Sequence, residues 1–177
     1  MNPLNAARAL LQQRQNDATA TALARDDAAH SIEVLDAIPR MANLLGQYDF
    51  QLAPQQQVKL SLNGVEVSIR ADMLVHGASR GVEQIGAAVL RMTMDDAATD
   101  AAIEKRRSMG LYVATLARMH VGANIPSNRE PVNRLCISID VQHGDVFVAP
   151  SSNARRVSDL QNACAFIAGI WPTVQRT

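Results

Sequence analysis

The dipeptide Asn63-Gly64 constrains the fold of this 177-residue chain more than any other local feature. On both sides of it, apolar residues alternate with polar ones, which is the period of a strand with one buried face. Asparagine and glycine tolerate the positive φ angles of a type I′ turn, so the pattern predicts a β-hairpin. Because the alternation continues to Val75, we expect the second strand to pass through Asp72 and to end before a turn at residues 76–79.

Hydrophobic periodicity predicts the remaining elements. Apolar residues at helical spacing predict helices near residues 4–13, 28–45, 95–120 and 157–171. Apolar runs predict strands near residues 82–92, 134–141 and 146–149. We expect a kink or break at Pro39, a cap formed by Thr93 and Asp96, and a helix end at Gly122. The small residues Gly86-Ala87-Ala88 indicate that another element packs closely across their strand.

The predicted order α-β-β-β-α-β-β-α is typical of an α/β fold, with a central mixed sheet of about five strands flanked by helices. The last helix places its apolar residues on one side, which we expect to be buried: Val157, Leu160, Cys164, Ile167 and Trp171. Residues 1–27 are polar and alanine-rich, and predict an N-terminal helical arm that packs loosely or docks on another subunit. Residues 28–177 are expected to form a single α/β domain.

Composition limits the classes of function. The 17 basic and 17 acidic residues cancel, so binding of DNA or RNA would require a local basic patch. An aromatic content of 3% argues against a stacking platform for single strands. No segment approaches the ~18 apolar residues of a membrane span, and none is typical of a secretory signal. Cys136 and Cys164 stand in apolar contexts, which favours reduced, buried thiols in a soluble cytoplasmic protein.

The predicted element order and the stretch GVEVSIRADMLVHG resemble the PD-(D/E)XK nuclease superfamily, in its RecB-like branch. The similar region extends from about Glu33 to Trp171. In that superfamily a hairpin strand ends in an aspartate, and the next strand carries an acidic residue and a lysine two positions apart. The resemblance implies that Asp72 is a metal-binding aspartate, that Glu33 is a further ligand, and that the cofactor of an active enzyme is Mg²⁺.

The next strand, VEQIGAAVLRM, lacks the acidic residue and lysine, so the catalytic motif is degenerate. In one register, Ala87 and Val89 occupy the two positions. In the other, Glu83 is the catalytic carboxylate and Ile85 replaces the lysine. Arg91 supplies a positive charge in either register, although a guanidinium stays protonated and is a poor base.

Each acidic candidate also has a structural interpretation. Asp72 is equally well explained as a strand-end acid that pairs with Arg70 or Arg91. Glu83 fits a solvated residue at a strand edge. Asp140 lies in the apolar strand RLCISIDV, where an unpaired carboxylate is costly, so we favour a buried acid paired with an arginine over a further site acid.

The candidate nucleic-acid contacts lie on the predicted helix 95–120 and just before the last predicted helix. Tyr112 matches a tyrosine of the branch's helix, whereas Ser108 stands where glutamine is expected. The candidate phosphate contacts are Lys105, Arg106, Arg107, Arg155 and Arg156. A basic run on a helix is also typical of an ordinary solvated face. Two functions are therefore open. One is a nucleic-acid-associated protein of PD-(D/E)XK-like fold with degenerate catalysis, and the other is a non-catalytic assembly protein that oligomerises or binds a protein through its arm.

Overall fold

The computed structural model describes residues 3–92 and 98–174. The α-helices in these ranges are α1 (Pro3–Asn16), α2 (Ala22–Leu45), α3 (Asp100–Asn124) and α4 (Ala154–Ile170). The strands are β1 (Asp49–Leu52), β2 (Leu60–Leu62), β3 (Val65–Val67), β4 (Met73–Ser79), β5 (Val82–Arg91), β6 (Glu130–Pro131), β7 (Ile137–Asp140) and β8 (Asp145–Val148). None of these helices is both long enough and apolar enough to cross a membrane.

The predicted α/β fold is confirmed. The main sheet has the strand order β1-β4-β5-β7-β8, and β6 pairs with β5 beside this path. The sheet is mixed, because β5 pairs antiparallel with β4 and parallel with β6. Strands β2 and β3 form a separate two-stranded sheet. Strands β1 and β6, which lack a clear alternation of apolar and polar residues, were not predicted.

The described residues fall into two compact units. The first contains α1 and α2 together with residues 91–92 and 140–145, and the second contains residues 48–90, 98–139 and 146–174. Within the first unit, α1 packs on α2 and Arg8 pairs with Asp36. The Thr21 side chain accepts a hydrogen bond from the Ala24 amide and caps α2. The expected boundary between residues 27 and 28 therefore falls inside a helix, which also continues through Pro39.

The hairpin at Asn63-Gly64 is confirmed, with φ angles of 43° and 85° at the two turn residues. The expected continuation of its second strand to Val75 is wrong, because β3 ends at Val67 and β4 belongs to the main sheet. Between them, Oε1 of Gln57 accepts a 2.9 Å hydrogen bond from the Ala71 amide, and Nε2 of Gln57 donates a 2.8 Å bond to the Ala71 carbonyl. The turn expected at residues 76–79 is also wrong. These residues lie in β4, and the chain turns at Arg80 and Gly81.

Strand β5 packs as closely as its small residues predicted. A Cβ added at Gly86 would lie 2.1 Å from the carbonyl oxygen of Leu135. Helix α3 joins β5 in the main apolar cluster of the second unit, whose buried members are Ala71, Ile85, Ala87, Ala114, Ala117, Val121, Cys136 and Ala149. The helix is capped by Thr99 and runs past Gly122, so its expected end was wrong. The cap expected at Thr93 and Asp96 lies outside the described residues.

Both cysteines are free and buried, as predicted. Burial raises the pKa of the Cys136 thiol to about 11, against a weaker opposing effect of a backbone hydrogen bond and Arg118. At neutral pH this thiol is therefore protonated and a poor nucleophile.

We expect Gly86→Ala to lower the free energy of unfolding by about 2 kcal/mol or more, because the new methyl group collides with backbone that cannot rotate away. Urea unfolding followed by circular dichroism measures this loss. Gly169→Ala is the matched control, since its Cβ meets nothing within 4 Å and alanine is the better helix former. Equal stability of the two variants would contradict the close packing at β5.

Candidate functional site

Asp72 lies directly before β4, beside the end of β5. Its amide donates a 2.9 Å hydrogen bond to the Ala88 carbonyl, and its carboxylate Oδ2 accepts a 2.7 Å bond from the Leu90 amide. The side chain is otherwise exposed. Its carboxylate therefore pairs with the backbone of β5 rather than with Arg70 or Arg91, and this bond extends the β4–β5 ladder by one step.

The strand register separates Asp72 from Glu83. Glu83 pairs with Ala78 at the opposite end of β5, seven residues before Leu90. At ~3.3 Å per residue this separation is roughly 23 Å, too far for two carboxylates to share one metal ion. The Glu83 carboxylate instead lies 3.2 Å from the Arg129 guanidinium. Of the two registers considered, the geometry selects the one in which small or apolar residues replace the acid and the lysine.

Glu33 belongs to the first compact unit, on α2, and its carboxylate lies 3.2 Å from Nδ1 of His30. Asp72 belongs to the second unit. Across residues 3–92 and 98–174, no group of three or more histidine, cysteine, aspartate or glutamate side chains is placed to hold a metal ion. Asp72 and Glu33 thus belong to different units, and the Mg²⁺ cofactor stays a prediction.

A buried polar network fixes the chain next to Asp72. His120 is fully buried, and its Nε2 lies 3.1 Å from Oε1 of Gln57, the same oxygen that accepts the Ala71 amide. Because this oxygen accepts, Nε2 carries the proton and Nδ1 accepts the 3.2 Å bond from Asn124. His120 is thus a neutral imidazole in one tautomer, and burial lowers its pKa.

The interpretation of Asp140 as a buried acid paired with an arginine is confirmed. Asp140 is fully buried, and its Oδ2 lies 3.5 Å from the guanidinium of Arg91, whose side chain is 8% exposed. Its Oδ1 accepts hydrogen bonds from the His143 amide (3.3 Å) and from His143 Nδ1 (2.9 Å). Arg91, a candidate catalytic cation, therefore neutralises a buried carboxylate. The part played by His143 was missed, although an acid three residues before a histidine in a hairpin turn is a detectable signal.

Three of the candidate nucleic-acid residues come together where α3 and α4 pack. The Tyr112 hydroxyl donates a 2.7 Å hydrogen bond to Asp159, and the Arg156 guanidinium carbon lies 5.7 Å from the centre of the Tyr112 ring. This hydrogen bond is the main cause that raises the pKa of Tyr112. Arg155, beside Arg156, is exposed. The fold thus joins one aromatic ring and two cations from segments far apart in sequence.

The basic run on α3 divides between two faces. Lys105 and Arg107 are exposed, and Arg107 lies 3.6 Å from Glu104. Arg106 is only 7% exposed, so its assignment as a phosphate contact is wrong. It stands one helical turn before Gly110 and shares the side of α3 that is buried against the rest of its unit.

Comparisons with protein-family models, with curated proteins and with solved structures found no match to this chain. They neither support nor refute membership of the PD-(D/E)XK superfamily, which stays a prediction. The functional proposal below therefore depends on the geometry of the chain's own residues.

We expect Asp140→Asn to lower the free energy of unfolding by about 3 kcal/mol or more, because it leaves the buried Arg91 guanidinium without this counter-charge. Asp72→Asn is the control, since an exposed asparagine keeps an oxygen that accepts the Leu90 amide and should cost much less. Urea unfolding of both variants tests the difference. If the two losses are the same, the buried ion pair does not stabilise the fold.

The lowered pKa of His120 predicts a pH-dependent stability. The unfolded chain, with a histidine pKa of 6.5, binds the proton more tightly than the folded chain. The stability that the neutral His120 contributes is therefore fully present above pH 6.5 and is lost as the pH falls through the lower pKa of the folded state. We expect His120→Gln to flatten the decline in thermal midpoint between about pH 7 and pH 5. A decline of unaltered slope in His120→Gln would contradict this account.

Proposed function

We propose that this chain is a nucleic-acid-associated protein that binds its ligand without cleaving it. The observation that carries the proposal is the contact of Tyr112 with Arg156 where α3 and α4 pack, next to the exposed Arg155. Guanidinium groups bind phosphate oxygens through several fixed donors, and an aromatic ring supports contact with a base or sugar. These are the residue types that a nucleic-acid surface combines.

Local charge supports the same surface. The formal net charge of the chain is zero, so attraction of a polyanion must come from one patch. Lys105 precedes Tyr112 by seven residues, which is about two turns and therefore the same side of α3. Lys105 is exposed there, whereas Arg107 lies on the other flank of α3, and Asp159 fixes the tyrosine hydroxyl beside Arg156. The surface has more basic than acidic side chains, although the chain as a whole has equal numbers.

The absence of cleavage is supported by the surroundings of Asp72. Its carboxylate accepts the Leu90 amide, and Ala87 and Val89 occupy the positions of the acid and the lysine. A metal ion held by two carboxylates needs a second acidic side chain near Asp72, and residues 87–90 of β5 include none. Binding without hydrolysis is therefore consistent with apolar residues at positions 87 and 89 and with an Asp72 carboxylate that bonds to the backbone.

Assembly with another protein chain is the second candidate function. The N-terminal helix α1 packs on α2 and leaves Leu10 and Leu23 exposed as single residues, which is ordinary at a protein surface. The expected docking arm thus offers little apolar surface. A larger exposed apolar surface lies on the last helix, and it is the observation that favours assembly.

We expect the double variant Arg155→Ala/Arg156→Ala to weaken binding of labelled single-stranded and duplex oligonucleotides, because two phosphate contacts are lost. Fluorescence anisotropy at about 50 and 200 mM salt measures the affinity and its salt dependence. The slope of log K against log salt should fall by about 2.

Arg14→Ala/Arg25→Ala removes the same charge from α1 and α2 and should leave binding nearly unchanged. With Mg²⁺ present, the oligonucleotide should stay intact with both the wild type and Asp72→Ala. Undetectable binding, or equal losses in the two double variants, would contradict the proposed surface. Cleavage that Asp72→Ala abolishes would instead establish a nuclease.

A further inference from the structure

The apolar side expected for α4 is half-buried at Val157 and Leu160 and buried only at Cys164. Cys164 is 7% exposed and packs beside the β2–β3 hairpin. Beyond it, Ile167 is 42% and Trp171 61% exposed, so the second half of the same stripe is uncovered. The helix and its apolar pattern were predicted correctly, but residues 3–92 and 98–174 cover only part of that pattern.

The exposed residues form one continuous face, here named the tail surface: Phe166, Ile167, Ile170, Trp171 and Val174. Successive members are one or three residues apart, which places Phe166, Ile167 and Ile170 on one side of α4, and Trp171 and Val174 follow its C-terminal end. A cavity of about 360 Å³ adjoins this face, between Trp171 and the hairpin residues Gly64 and Val65. The hairpin is held there by a 2.9 Å hydrogen bond from Asn63 to the Gln161 carbonyl. The tail surface thus combines a protruding ring with an adjacent recess.

We propose that the tail surface binds the tail surface of a second copy of this chain, forming a two-fold symmetric dimer. This interaction goes beyond the proposed nucleic-acid function and uses the opposite end of α4 from Arg155 and Arg156. In a two-fold contact the same surface of each copy meets that of the other. A side chain of one copy therefore enters the recess of its partner, and the equivalent side chain of the partner enters the recess of the first copy. Trp171 and Phe166 are the side chains that reach across.

The exposed area is sufficient for such an interface. Phe166 is 67% and Trp171 61% exposed, and aromatic side chains cover 150–250 Å² each, so the two rings expose roughly 250 Å² per chain. The three aliphatic side chains add a comparable area. Two copies together would bury on the order of 1,000 Å², which is the lower limit of a specific protein interface. The contact is therefore expected to be a weak, reversible dimer.

The charge distribution favours a second copy over a membrane or a charged partner. Residues 161–174 contain no charged side chain, so a self-contact brings no charged side chains of this segment together, and the exposed Glu66 lines the adjoining recess. An apolar helix that binds a lipid surface typically carries lysines or arginines along its polar face, whereas Asp159 is the single charged residue of the sequence 157–175. The formal net charge of zero also removes long-range repulsion between two copies.

Trp171 is the single tryptophan of the chain, so its fluorescence reports directly on the proposed interface. We expect the mass of the full chain, measured by sedimentation velocity, to rise with concentration from 19.1 kDa toward twice that value. The tryptophan emission should shift to shorter wavelength over the same concentration range. Phe166→Gln, which keeps the reporter, should weaken dimerisation at least ~10-fold and move both transitions together.

Leu10→Gln/Leu23→Gln is the matched control, because it removes two exposed leucines elsewhere and should change neither transition. Circular dichroism of each variant verifies folding. A monomer at all concentrations, or a dimer that Phe166→Gln leaves intact, would overturn the proposal. A monomer whose tryptophan shifts only on phosphatidylcholine vesicles would assign the surface to a membrane instead. Oligonucleotide binding by Phe166→Gln should equal that of the wild type, so the two proposals can fail separately.

Discussion

The packing of strand β5 constrains most of this fold. The strand has neighbours on both edges, and Leu135 approaches Gly86 so closely that no side chain fits between them. Its end is fixed by two charged groups. The Asp72 carboxylate accepts the Leu90 amide, and the Arg91 guanidinium neutralises a buried acid. The position of this strand therefore depends on small residues at its centre and on electrostatic pairing at its end.

The same packing explains why β5 carries no acidic side chain at residue 87. Ala87 is fully buried and belongs to the apolar cluster that includes Ala114 and Ala117 of α3. A carboxylate in its place would lose its hydration without gaining a cation, which is costly in such surroundings. The residues to which we assign binding lie on exposed helical surfaces: the basic end of α4 with Tyr112, and the uncharged tail surface. One helix thus presents two chemically different surfaces.

Local patterns predicted the helices, the Asn63-Gly64 hairpin and the α/β class, because turn chemistry and periodicity act over a few residues. The break after β3 escaped prediction because apolar residues keep the same parity from Val65 to Val75, while the break depends on a distant side chain, Gln57. The pairing of Asp140 with an arginine followed from the cost of a buried charge. That the arginine is Arg91 depends on which strands are neighbours in the sheet. The burial of Arg106 depends on which side of α3 faces the rest of its unit, and a run of basic residues does not reveal that side.

The central claim is that nucleic acid binds at α3 and α4 rather than at the end of β5. Amide chemical shifts of the isotope-labelled full chain, followed while an oligonucleotide is added with and without Mg²⁺, test it most directly. Binding should move the amides of residues 105–112 and 153–159 equally in both conditions and leave Asp72 and Leu90 in place. Changes at Asp72 and Leu90 that require Mg²⁺, with α3 and α4 unaffected, would contradict the account.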